Sequence, residues 1–431
     1  MHTHNALKGI ALAAAASAAV VLPQTASAFG MMEVGEWEVE FSGNVNGFVT
    51  SVECNAPAMV SDGETMIQPT IGGGLACGSL GPSRDVSNIR TGLLPAWFGF
   101  HAQRQFGNLM TGVTLGFQPG IDGNASPGRL TGGPIDGGLE RGDAEFRQAF
   151  LDFGGDWGKI KIGRDLGVFA SDAILNDMTL LGVGTVSDLA EPGGFTTLGR
   201  IGVGYMYADW KAQLQYVSPN WSGFEFVVAL VDPFGLVNLS GNSLDAGSFS
   251  QANDTFGIEG KISYSWEGDF SGKVWASFIN QSINTTNTTQ FSDQDATGFD
   301  IGGKLGFFGV EVLAYYYSGD GIGTTDFLFD AIDQAGNTRD SDGGYVQLTY
   351  AIPNAGTKLG ISYGESNLDR GADDPSDTNL VKKNESIVFG VYHPLTEALT
   401  LVAEYTQTKS MAHAGFEAEE NTIALGAIMF Y

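Results

Sequence analysis

The stretch from Asp165 to Glu191 gathers Asp165, Asp172, Asp177, Asp188 and Glu191 in a setting otherwise rich in Gly, Ala and Leu. Arg147, Lys159, Lys161 and Arg200 flank it, and the two lysines alternate with Ile160 and Ile162. Acid on one side of a passage and base on the other would set a transverse field, which favours small polar solutes that can orient over bulky apolar ones. Charged side chains around a passage also bias ion choice. Each residue has a plainer reading. Arg147 could lie near a mouth, Arg200 could pin the acidic segment to a wall, and Glu191, beside Pro192 and Gly193, could be a turn acid. Hydrolytic chemistry is poorly served: His101, His393 and His413 lie on well-separated segments. No Ser-His-acid grouping or metal-ligand spacing accompanies them, so no catalytic residue, metal or cofactor is expected. The run "DSDGG" at 340–344 has part of a calcium loop without its remaining ligands.

The start of the chain bears on the compartment. A weakly basic beginning at Lys8, an apolar run through Leu22 and a small-residue Ala26-Ser27-Ala28 site form the three parts of a secretory signal peptide. Residues 1–28 are therefore expected to be removed, leaving 29–431 as the functional unit. Cys54 and Cys77 are the only two cysteines, and in an exported chain they most simply form one disulfide. Closing a loop of that size would restrict the unfolded chain by roughly 3 kcal/mol in the chain-entropy account.

No stretch has eighteen consecutive apolar residues, so no transmembrane helix is expected. The 43% hydrophobic and 11% aromatic content excludes a disordered chain, and 62 Gly with few helix-favouring runs points to an all-β protein. Alternation at period two recurs throughout. Trp37, Val39 and Phe41 alternate with Glu36, Glu38 and Glu40; Ile258, Ile262 and Tyr264 oppose Glu259, Lys261 and Ser263; Leu399, Leu401 and Tyr405 oppose Thr400, Glu404 and Thr406. Segments of about ten residues with one apolar and one polar face are the mark of a membrane barrel. Sixteen such segments are expected, from 33–50 through 90–105 and 199–217 to 420–431. Short connections alternate strictly with long ones, which describes an even-stranded antiparallel transmembrane β-barrel with both termini on the short-turn side. The last strand, "TIALGAIMFY", then pairs with the first, and Ile423, Leu425, Met429 and Tyr431 face hydrocarbon. Sixteen strands enclose an aqueous lumen, and the long segment 166–198 is expected to fold into it as the narrowest point. Acidic runs such as "DFLFDAIDQAGNTRDSDGG" and "DRGADDPSDTN" read as a solvated outer rim, giving a weak cation preference.

Several motifs resemble the general trimeric porins of Gram-negative outer membranes. "RQAFLDF" with Arg147, "GKIKIGRDLGVFASDAIL" and "LAEPGGFTTLGRIGVG" resemble the strands and inward third loop of that family, and the closing Met429-Phe430-Tyr431 resembles its aromatic C-terminal assembly signal. Two positions depart: Trp97 stands where the family often carries an arginine, and the chain ends in Tyr431 with Met429 two places earlier. The resemblance implies a homotrimer in the outer membrane, assembled by the barrel-assembly machinery and in contact with lipid and lipopolysaccharide. It implies a water-filled channel for passive diffusion of small hydrophilic solutes, without nucleic acid as a partner. Asp165, Asp172, Asp188 and Glu191 would form the acidic side of its constriction, and Arg147, Lys159, Lys161 and Arg200 the basic wall. A substrate-selective porin for sugars or organic acids, with Trp275, Tyr315 and Tyr317 as a stacking path, is the nearer alternative. An outer-membrane hydrolase or an adhesin is the remoter one.

Overall fold

Alternating faces become alternating environments in a single closed sheet. The computed structural model describes residues 29–55, 60–62, 65–67, 70–77, 85–119, 144–186, 196–239, 255–285, 292–376 and 378–431. Sixteen antiparallel staves form the barrel. They are β1 (Trp37–Asn55), β2 in two pieces (Asp85–Arg90 and Trp97–Phe106), β3 (Leu109–Pro119), β4 (Ala144–Gly155), β5 (Gly158–Leu166), β6 (Trp210–Val217), β7 (Phe224–Val231) and β8 (Gly257–Trp266). There follow β9 (Phe270–Ile283), β10 (Gln294–Phe307), β11 (Val310–Asp320), β12 (Asp340–Ala351), β13 (Lys358–Leu368), β14 (Val381–Pro394), β15 (Leu399–Ala412) and β16 (Glu417–Phe430). Each pairs with its successor, and β16 closes on β1 from Asn44↔Phe430 to Asn55↔Glu419. The short strand Phe29–Val34 continues the β16 position along the other end of β1, so both termini share one stave. Tyr431 seals the seam, its N–H donating to Gly43 O at 3.0 Å and its carbonyl accepting from Gly43 N at 2.9 Å.

The outer face settles what surrounds this sheet. Val49, Ile162, Ile262, Ile301, Val346 and Leu425 point outward with 43–61% exposure, on strands spread around the barrel. An apolar belt of that extent belongs against hydrocarbon, and closure leaves no unpaired edge there. No helix among the described residues is long and apolar enough to cross a membrane.

Strand ends shift by a few residues throughout, and two strands differ in kind from the sequence expectation. The second stave is broken at 91–96, where Gly92 N donates to Asn46 Oδ1 (2.9 Å) and Leu93 N to Gly182 O (2.9 Å), turning the chain inward. The sixth begins at Trp210 rather than 199, so residues 199–209 belong to the inward loop.

The lumen is extensively packed toward its long-loop end. Loop segments 70–77, 167–186, 196–209 and 321–333 enter it and meet the inner wall in one apolar cluster that includes Leu75, Phe169, Tyr205, Ile322 and Leu328. The segment 321–333 overturns the reading of its acids as solvated rim: Asp326, Asp330 and Asp333 are all buried, as are Phe327, Leu328 and Ile332 beside them. Arg339 and Asp374, both fully buried, form a two-pronged ion pair (2.7 and 2.7 Å) that anchors this loop to the next. A disulfide joins Cys54 on β1 to Cys77, with the Cα atoms 5.4 Å apart.

Candidate pore site

The loop 167–209 crosses the lumen because the wall supplies partners for its backbone. Carboxylates from three strands accept its N–H groups. Glu259 on β8 accepts from Val168 (2.5 Å) and Phe169 (2.9 Å), and Asp300 on β10 from Ala170 (3.0 Å). Glu404 on β15 accepts from Val183 (2.7 Å) and Gly184 (2.9 Å). Gln347 on β12 accepts from Met178 N (2.7 Å) and donates to Asn176 O (3.1 Å), while the Tyr345 hydroxyl donates to Ala173 O (2.7 Å). Between these contacts the loop forms a short helix, α1 (Ser171–Asn176), and a 3₁₀ turn, Met178–Leu181, capped by Asp177 through Thr179 N at 2.9 Å. Buried N–H groups without partners would cost several kcal/mol in hydrocarbon-like surroundings, so these contacts fix the loop's course.

The acids read from the sequence take distinct places. Asp165 lies on the β5 wall rather than on the loop. It accepts from Lys161 Nζ at 2.5 Å and from Gln148 Nε2 at 3.0 Å, so two residues expected to face each other across a gap pair on one wall. Asp172, on α1, receives Lys261 Nζ at 2.9 Å and Lys273 Nζ from the wall behind it. Burial pushes its carboxyl up, but the two lysines outweigh that and hold it at about 2. Asp177 is buried against Tyr205 Oη (2.9 Å). Burial raises its carboxyl above the usual range despite the Arg200 charge nearby. Asp188 and Glu191 lie outside the described residues.

The basic residues also diverge. Arg200 is fully buried, with Nε donating to Ser362 Oγ (2.6 Å) and Nη1 to Ser386 Oγ (3.1 Å). It pins the loop to β13 and β14 instead of facing the passage. Arg147 sits at an irregularity of β4: Gly116 pairs with Gln148 and Phe117 with Phe146, leaving Arg147 as the extra residue. A bulge of this kind turns adjacent side chains to one face, and Arg147 and Gln148 are both buried. The Arg147 guanidinium lies 5.9 Å from the Trp210 ring. Lys159 retains partial exposure and pairs with Asp152 at 3.3 Å. Trp275, Tyr315 and Tyr317 point inward but are buried behind the loops, so they offer no exposed stacking path. The three histidines stay apart, each with a local partner: Thr114, Thr357 or the Leu368 carbonyl.

Sequence reasoning missed the lysines that hold Asp172. Lys261 and Lys273 stood in the right alternation, opposite outward Ile262 and Val274, but nothing local marks which strand faces the loop. The anchoring carboxylates Glu259, Asp300 and Glu404 were visible only as polar positions on apolar strands.

The arrangement is a membrane barrel whose lumen is narrowed by a wall-pinned loop after the fifth strand. The Gram-negative porin family model matches residues 9–413. The chain belongs to the Gram-negative porin family. As a porin it is a channel protein of the outer membrane and not an enzyme. Among solved structures it resembles the outer membrane channel DcaP of Acinetobacter baumannii, at TM-score 0.64 and 15% identity over 93% of this chain and 99% of that one. It also resembles an anion-selective porin from Comamonas acidovorans (TM-score 0.59, 14% identity, 92% of this chain and 100% of that one). OmpF of Salmonella typhi, solved with daunomycin, follows at TM-score 0.53 and 14% identity, over 93% of this porin and 100% of OmpF. No curated protein matches the chain.

Proposed function

We propose that this porin forms a water-filled passage for passive diffusion of small hydrophilic solutes and ions. The observation that carries the reading is the loop 167–209, held across the lumen of a closed sixteen-strand barrel by wall carboxylates. None of its described residues is exposed, Leu175, Asn176 and Leu181 being half-buried, and we assign the charged part of the constriction to Asp188, Glu191, Lys159 and Arg147. Residues 1–28 act as a cleaved signal peptide, and Met429-Phe430-Tyr431 is read by the barrel-assembly machinery. The mature chain works as a homotrimer amid lipid and lipopolysaccharide. Exposed acids at the long-loop end, including Asp293, Asp320 and Asp369, favour cations at that mouth. The Comamonas porin shows that this architecture hosts anion selectivity too, so the sign must come from this chain's own charges.

Refolded protein inserted singly into a planar bilayer under a KCl gradient tests this. Ohmic steps closing in three equal sublevels are expected, with a reversal potential on the cation side and Glu191→Gln and Arg147→Gln moving it in opposite directions. Folded, heat-modifiable barrels that give no steps would overturn it. A second reading, a substrate-selective porin, is favoured by the packing of three loop segments into the lumen. It predicts small steps that one class of solute blocks.

A further inference from the structure

Four lysines line one arc of the inner wall near the short turns, on the side from which the loop is held. Lys261 on β8, Lys273 on β9, Lys304 on β10 and Lys358 on β13 alternate with outward Ile262, Val274, Leu305 and Leu359, so all four ammonium groups face the lumen. All four stay partly exposed, in contrast to the buried wall nearer the long loops. Lys273 and Lys304 are directly opposite in the β9–β10 register. Lys273 lies within electrostatic range of both Lys261 and Lys304, and Lys358 within range of Lys304.

Like charges placed opposite one another on a sheet repel and destabilise it. Part of that repulsion is relieved from the loop, where Asp172 engages Lys261 and Lys273. The other half of the arc is less well served. The nearest carboxylate to Lys304 is Glu311 at 3.9 Å, with its side chain 40% exposed. Lys358 has the Tyr392 ring 5.3 Å away and the Glu311 charge within electrostatic range, with no carboxylate within 4.0 Å among the described residues.

We propose that Lys304 and Lys358, with Lys273 beside them, form a binding site for small multivalent oxyanions at the periplasmic end of the lumen. The inference rests on the passage proposed above, which gives solutes access to this wall. Lysine ammonium groups are compact charges with three rotatable donors each. They suit an anion of two or more charges whose oxygens can bridge them, and such an anion would screen their mutual repulsion. Glu311 competes for the same ammonium groups, so the site is tuned to hold an anion weakly enough to release it.

Sulfate is the probe, because it carries two charges and does not titrate near neutral pH. Added on the short-turn side of oriented channels in KCl, it should reduce the current at concentrations well below those needed from the long-loop side. In the Lys304→Gln/Lys358→Gln double variant the half-blocking concentration should rise about tenfold or more, a loss of about 1.4 kcal/mol or more over the two ammonium groups together. Glu311→Gln should lower it, a change that a purely structural role for these residues would not produce. Open channels of normal conductance that sulfate blocks equally from both sides, or with the same concentration in all variants, would overturn the site while leaving the passage intact. Calorimetric titration of the folded protein in detergent reads the site without a channel: saturable sulfate binding weakened in the double variant supports it, and its absence refutes it. Binding without any conductance would overturn the passage alone.

Discussion

Asp172 shows how one side chain on the loop can organise a wall. Its carboxylate meets ammonium groups from two adjacent strands, β8 and β9, and is itself buried. An acid whose folded value is depressed contributes stability above its unfolded value, about 3.9, and loses it as pH falls through the folded value. With the carboxyl held at about 2, this tether should be at full strength at neutral pH and weaken only in strong acid. Asp172→Asn removes the charge while keeping the shape and leaves both lysines without their counter-ion. Allowing for their partial exposure, the loss should be about 1–3 kcal/mol of loop attachment. Hydrogen exchange over 167–186 should speed up accordingly at pH 7, while Lys159→Gln, whose ion-pair partner is Asp152, should leave it unchanged. Equal protection in wild type and Asp172→Asn would show that the backbone contacts from Glu259 and Asp300 suffice alone.

Among the elements, the strands were legible and the inward loops only partly so. Alternation located nearly every stave because each faces lipid on one side and a lumen on the other. It misled at 199–209, where Ile201, Val203, Tyr205 and Tyr207 also alternate. There Gly199 and Gly202 adopt φ of +56° and +74°, outside the extended region, and Ile201 N bonds locally to Leu198 O at 2.8 Å. The segment is a loop buried from several directions, and burial of that kind leaves the same apolar signature as a strand. The loop 321–333 misled in the other sense, since its acids suggested solvent while Phe327, Leu328 and Ile332 were the truer signal. These two loops meet: Tyr207 N donates to Thr325 O at 2.9 Å. Beside that contact, burial raises the Asp209 carboxyl to about 6, against Trp210 N–H, Lys211, Arg164 and Arg147, and raises Asp326 well above the usual carboxylate range with the Asp209 charge adding to it. For a raised acid the sign reverses: the folded state holds its proton, and stability falls as pH climbs from about 4 through about 6. Protection of 196–209 and 321–333 should therefore be greater at pH 5 than at pH 7.5 after correction for intrinsic exchange. Asp326→Asn keeps the acceptor for Phe327 N (2.8 Å) and should raise the pH 7.5 protection toward the pH 5 level. No pH difference in the wild type would exclude the acid pair as the cause.

At the scale of the whole molecule, the lumen lysines and the long-loop acids separate charge along the channel axis more clearly than across it. The transverse pattern expected from the acidic loop is largely consumed within the described residues: Asp165 is paired with Lys161, Asp172 with Lys261 and Lys273, and Arg200 is buried between the loop and the wall. Exposed acids Asp293, Asp295, Asp320, Asp340, Asp369 and Asp373 lie at the long-loop end, while Lys261, Lys273, Lys304 and Lys358 face the lumen near the short turns, inside the turn acids Asp156, Glu267, Asp269 and Glu397. Cations are enriched beside the first group and anions beside the second. When the long-loop side is positive, each ion enters the junction between the zones from the end where it is concentrated, so carriers accumulate and conductance rises. Reversing the voltage empties the same junction. The current through oriented channels should therefore be larger with the long-loop side positive at 0.1 M KCl. It should become nearly symmetric at 1 M, because the screening length falls from about 10 Å to about 3 Å. Lys304→Gln/Lys358→Gln should reduce the asymmetry at low salt without reversing it. Symmetric currents at 0.1 M, or a larger current in the opposite direction, would mean that the constriction at the loop, rather than the two ends of the barrel, governs ion flow.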